Sequence, residues 1–316
     1  VQHPVPPVGD LDRYWYNVEE FVARRILWMA NRAYYGVAMP HFWPDWGAST
    51  FSGMLGCRMD AATEETTWAQ PCCDTLEQVL DVDLQPESRF YRTVMAVTER
   101  ATALSADRFF VAVYPIVGIA DILATLYGTE KLLIAMAEQP AAVTAAMQHV
   151  TKLWLHTFPQ VQDLIQTSGN PGTMNWMAIW APGTSCCTQE DFSYMISDEM
   201  FRRYCLPPLL EEIDAFEYPM YHLDGAGALS HLDTLLQIPK LRAIQWVPGA
   251  GHEDVPQWYD LIRRILAGGK SVEVFARPDE IDDLVKNVGP RGVLIATHVA
   301  SREEAERLLG KYPQDR

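Results

Sequence analysis

Four times in its C-terminal third a short strand-like segment leads into a helix-like one. MYHLDG leads into GALSHLDTLLQIP, AIQWVPG into PQWYDLIRRILAGG, SVEVFARP into DEIDDLVKNVGP, and VLIATHVA into SREEAERLLGKY. The first half of each unit is short and mostly apolar, the pattern of a parallel strand buried on both faces. The second half is amphipathic and ends near Gly or Pro, the pattern of a packed helix. Upstream, FFVAVYP (109–115) and NWMAIWAP (175–182) read as two more strands. A long helical region follows the first, with breaks expected near Pro140 and Pro159. After the second comes a loop, GTSCCTQEDFS, and then a helix with Ser197 as its N-cap. YYGVAMPHFWP (34–44) is a seventh candidate, and the eighth falls between residues 57 and 95, where no pattern marks it. With no glycine-rich phosphate turn after the first strand, these units favour a single (β/α)8 TIM barrel over an open doubly wound sheet. Residues 31–316 are assigned to that barrel and 1–30 to an N-terminal extension, in one domain overall.

Charge and cysteine usage narrow the function classes. Forty-one acidic residues against 25 basic ones leave a net charge of −16, without a Lys/Arg block, so nucleic acid and anionic membranes are not expected partners. No apolar run reaches the ~20 residues of a membrane span, and VQHPVPPVGD carries no signal-peptide pattern. Six cysteines (57, 72, 73, 186, 187 and 205) have neither CxxC spacing nor disulfide-framework density, and a cytoplasmic location is expected. P-loop, GxSxG, HExxH and dinucleotide motifs are absent.

A TIM barrel builds its site at the C-terminal ends of its strands, so the residues there are the candidates. They are His41, Trp43, Asp45, Trp46, Tyr114, Trp176, Trp180, His222, Asp224, Gln245, Trp246, Arg277 and His298, with His252, Glu253 and Asp254 in the loop GAGHED. His222 and Asp224 are two apart on a strand and share a face. Such a pair binds a metal, handles protons, or is a hydrogen-bonded couple that orients a loop. His298 either belongs to the site or closes the seam between last and first strands. Of the adjacent Cys186 and Cys187, at most one faces any given site. The tryptophans serve either as pocket wall or as core.

The segments VYPIVGIADILATLYGTEKLLIAMAEQPAAV, DFSYMISDEMFRRYCLPPLLEEIDAF, YHLDGAGALSHLDTLLQIPKLRAIQWVPG and GVLIATHVASREEAERLL resemble the uroporphyrinogen decarboxylase superfamily, which includes corrinoid-linked, zinc-dependent methyltransferases. The resemblance covers roughly residues 30–310 and implies a (β/α)8 barrel. In the methyltransferases a His-x-Cys pair and a later Cys bind zinc. Here the matching positions read His222-Leu223-Asp224 and His298, a harder set that still suits Zn²⁺. What the resemblance implies is a zinc-dependent methyltransferase, with His222, Asp224 and His298 on the metal and Cys187 or Glu253 as fourth ligand. Asp45 is positionally similar to the decarboxylases' pyrrole-binding aspartate and joins His222 and Asp224 as a catalytic candidate. Trp180, Gln245 and Trp246 are the expected cofactor-binding residues. With no DxHxxG motif in the chain, a corrinoid would ride on a partner protein; a homodimer is a further expectation. The alternative is a metal-free decarboxylase or lyase of a small aromatic or pyrrole acid, and a non-catalytic binder using the barrel mouth is the third reading.

Overall fold

The computed structural model describes residues 4–312; the ends of the expected extension and barrel lie outside them. The four C-terminal units fold as the periodicity predicts. Seven strands run in parallel ladders: β1 (His41–Phe42), β2 (Phe110–Val111), β3 (Ser185–Gln189), β4 (Tyr218–Asp224), β5 (Ala243–Val247), β6 (Ser271–Phe275) and β7 (Val293–Ala296). They form a five-stranded sheet in the order β7-β6-β5-β4-β3 and a separate pair, β1-β2. Among the described residues no ladder joins the two sets. The fold is therefore mixed α/β around parallel strands, and the ring of eight is met in part.

Alternation sorts the sheet's two faces. Tyr221, Leu223, Ile244, Trp246, Val272 and Val274 point one way and are buried under the helices. Among the helices that frame the strands are α1 (Val18–Ala30), α2 (Arg89–Ser105), α3 (Ile119–Tyr127), α4 (Pro140–Gln166), α5 (Leu206–Asp214), α6 (Tyr259–Ala267), α7 (Ile281–Val288) and α8 (Arg302–Lys311). The later ones bury a narrow stripe, Ile262 and Ile265 on α6 and Ile281 and Leu284 on α7. Ser301 caps α8 through the Glu304 N–H at 3.2 Å. The segment before residue 31 belongs to the same core: Phe21 stacks on Trp46 at 4.4 Å, and the Trp46 indole N–H donates to the Trp15 carbonyl at 2.9 Å. No helix among the described residues is long and apolar enough to cross a membrane.

Three expectations are corrected. A helix does begin at Pro140, but α4 runs unbroken through Pro159 to Gln166. Proline removes one ladder bond, and the stripe Val150, Trp154, Phe158, Val161 stays buried across it, with Phe158 packed on Trp154 and Phe216 at 4.8 and 5.0 Å. NWMAIWAP is not a barrel strand. It forms the turn and return arm of an antiparallel hairpin (Thr173–Met174 with Trp180–Ala181), and the parallel strand is SCCTQ, read as loop. Its Cys, Thr and Gln residues hide a fully buried strand from a hydropathy reading. Between residues 57 and 95 lies no parallel strand but a hairpin, Arg58–Asp60 with Trp68–Gln70.

Candidate metal centre

One register row crosses the sheet: Gln189, the last residue of β3, pairs with His222, His222 with Gln245, and Gln245 with Glu273. Cross-strand partners share a face, so all four point away from the helices. Gln189, Gln245 and Glu273 are 7%, 0% and 4% exposed, which makes this a buried polar row across the sheet. Asp224 lies two residues beyond His222 on β4, and Asp191 two residues beyond Gln189. Both therefore rise above the row on the same side.

Asp191 is held by contacts to its backbone and its side chain. The N–H groups of Asp191 and Phe192 donate to the Asp121 carboxylate at 3.1 and 2.6 Å, and the Gln189 amide donates to Asp191 Oδ2 at 2.8 Å. Between them Glu190, buried, turns the opposite way and accepts the Ile119 and Ala120 N–H groups at 3.2 and 3.0 Å, closing the N-terminus of α3. The two segments touch so closely at Gly118 that a Cβ there would stand 1.9 Å from the Gln189 carbonyl oxygen. Helix α3 and strand β3 thus fix Asp191 relative to β4.

The result is a set of donors from Asp191, His222 and Asp224, each within 4.8 Å of the others. His222 Nε2 lies 4.0 Å from Asp224 Oδ2, while Nδ1 meets Gln245 Oε1 in a short contact. With Gln245 in that orientation Nδ1 carries the proton and Nε2 presents its lone pair, the division a metal-binding imidazole needs. Burial depresses the His222 pKa, against the Gln245 contact and the Asp224 charge, and so favours neutral imidazole. Asp191 is exposed as a residue, but the desolvation of its carboxyl among the neighbouring groups, and then the Asp224 charge, push it up to about 7. Burial, followed by the Asp191 charge, does the same to Asp121. Trp176 meets the His222 ring edge-on at 5.1 Å, stacks on Trp43 at 5.5 Å, and donates its indole N–H to the Cys187 carbonyl at 2.8 Å. An imidazole flanked by two carboxylates fits a divalent cation: shared between them, it would turn mutual repulsion into attraction.

The other candidates stand elsewhere. His298 is exposed two residues past β7, outside the converging donors. Cys187 shares the inner face but pairs with Met220, two residues below the His222 row, and burial holds its thiol far above the ordinary range. Glu253 turns its carboxylate onto the Gly251 N–H at 2.8 Å. Asp45, half-buried, accepts the Gly47 N–H at 2.7 Å. Trp246, next to Gln245, takes the opposite face by alternation and packs on Trp258 at 4.9 Å on the helix side, so it is core rather than pocket wall. Trp180 is 39% exposed on the hairpin and donates to the Pro171 carbonyl at 2.8 Å. Neither tryptophan has a contact with the three donors, whereas Trp176 meets His222 and Trp43 stacks on Trp176. Asp191 was missed because its strand was read as loop; a strand assignment for SCCTQ would have placed it beside His222. A cavity of about 620 Å³ lies away from this centre, lined by Tyr16, Cys57, Arg58 and Arg89 among others.

No family model matches the chain, and a search of curated proteins gives no match. Among solved structures, a methyltransferase from Methanosarcina mazei is similar with a TM-score of 0.63, over 93% of this chain and 85% of that one, at 10% identity. At that identity the likeness shows a shared fold.

Proposed function

We propose that this chain is a zinc-dependent methyltransferase that moves a methyl group to or from a corrinoid carried by a partner protein or a small-molecule acceptor. The convergence of Asp191, His222 and Asp224 at adjacent strand ends carries the reading; the shared fold with a methyltransferase supports it. These three residues would hold the ion. A bound zinc would act as a Lewis acid toward the methyl acceptor, and an oxygen- and nitrogen-rich set makes it a harder acid than a thiolate site. Gln245 fixes the imidazole tautomer, and Gln189 and Asp121 fix the position of Asp191. The stacked Trp43 and Trp176 form a flat apolar wall against which a substrate is held and from which water is excluded.

The raised Asp191 beside a neutral imidazole favours one second reading, a metal-free enzyme that moves protons in decarboxylation. Elemental mass spectrometry of purified protein separates the two. The expected result is about one zinc per chain, lost in His222→Ala and reduced in Asp191→Ala. Absence of bound metal, with none gained on adding zinc, refutes the proposal and directs the search to chelator-resistant decarboxylation.

A further inference from the structure

Away from the metal centre, three of the six cysteines come together. Cys57 leads into the strand Arg58–Asp60 and Cys72 follows the strand Trp68–Gln70, so they flank the base of one antiparallel hairpin. Their sulfur atoms are 3.2 Å apart, and the Cys73 sulfur is 4.0 Å from that of Cys72. Cys72 is exposed, while Cys57 and Cys73 are buried. The pair is held from both sides. The ladder register fixes Cys57, and the N–H groups of Cys72 and Cys73 both donate to the Leu126 carbonyl at 3.0 Å, at the end of α3. Cys57 itself is only 5% exposed, beneath the wall of the cavity of about 620 Å³.

We infer that Cys57 and Cys72 form a site of reversible oxidation, in which Cys72 reacts with hydrogen peroxide and Cys57 resolves it as an intramolecular disulfide. The Cys72 thiolate attacks one peroxide oxygen; an S–O bond forms, the O–O bond breaks, and hydroxide leaves. Sulfur loses two electrons and the peroxide gains them. The Cys57 sulfur then attacks the sulfenic acid, the S–S bond forms, the S–O bond breaks, and water leaves with the thiol proton. The Cys57 S–H, donating to the Cys72 sulfur, holds the exposed thiol below its usual range, and burial of Cys57 keeps the resolving thiol from direct attack. Cys73, adjacent in sequence to Cys72, would have to close a strained ring between neighbouring residues, which leaves Cys57 as the resolving partner.

Peroxide treatment of the folded protein, followed by intact mass and peptide mapping, tests this. The expected product has lost two hydrogens and yields a peptide pair linked through Cys57 and Cys72, reversed by a dithiol reductant. In Cys57→Ser the Cys72 sulfenic acid should persist and be trapped by dimedone, and Cys73→Ser should form the disulfide as the wild type does. Because Cys57 is buried, Cys72→Ser gives a second check: this variant should form no linked pair while keeping the wild-type Tm. Persistence of a trappable sulfenic acid on Cys72 in the wild type, linkage through Cys73, or no reaction at Cys72 would each overturn the inference.

Discussion

Glu273 offers the sharpest quantitative test of the buried polar row. Its carboxyl sits inside the sheet, 4% exposed, and its Oε2 has no hydrogen-bond partner. Burial pushes it up from the ordinary 4.5 to about 8. For an acid raised in the folded state, stability is fully present below the unfolded value, near pH 4.5, and is lost as pH rises toward 8, because only the unfolded chain gains by ionising. Each pH unit between those values is worth about 1.4 kcal/mol, so the loss is about 3 kcal/mol at pH 7 and approaches about 5 kcal/mol above pH 8. Glu273→Gln keeps the shape and removes the ionisation. Whatever the amide gains or loses in hydrogen bonding is the same at every pH, so the slope carries the test and the offset does not. Urea unfolding of chelated wild type and variant between about pH 5 and about pH 8 should show the variant gaining on the wild type by a few kcal/mol across that range. Other raised acids, among them Asp121, Asp191, Glu190 and Glu212, are present in both proteins and act equally on both curves. Parallel curves for the two proteins would refute the reasoning and mean that solvent or a cation reaches Glu273.

Two further predictions concern the junction that positions Asp191. Gly118→Ala drives a methyl group into the Gln189 carbonyl, and with backbone on both sides unable to yield, the expected loss is ~3 kcal/mol or more, read as a fall in Tm. Glu190→Ala strands the buried Ile119 and Ala120 N–H groups and should cost about 2–3 kcal/mol, while Glu190→Gln retains one acceptor and recovers part of it. An unchanged Tm in Glu190→Ala would mean that water replaces the carboxylate at the α3 N-terminus.

The chain's own pattern made the four C-terminal units legible, and with them the pairing of His222 with Asp224, because a period of two places both on one face whatever surrounds them. It also marked Gln245 as a strand-end group; the structure places it in the middle of β5, where its side chain meets His222. It misled at SCCTQ, whose small and polar residues resemble a loop, and at NWMAIWAP, whose apolar residues fill a hairpin beside the site. Trp246 and Gln245 are neighbours in sequence, yet one packs under a helix and the other faces the imidazole. That separation follows from alternation alone, once the face of His222 is chosen.

The sequence by itself thus determined which segments are strands and helices over the C-terminal units, since burial and periodicity are local properties written in neighbouring residues. Only the tertiary structure decided which polar groups meet. Asp191 joins His222 through the register of β3 on β4, Asp121 reaches across from α3 to hold it, and Cys57 and Cys72 meet across the base of a hairpin. Each of these contacts spans fifteen to seventy residues of chain. They are set by strand register and by close approach of backbone at one glycine, quantities that no window of local sequence contains.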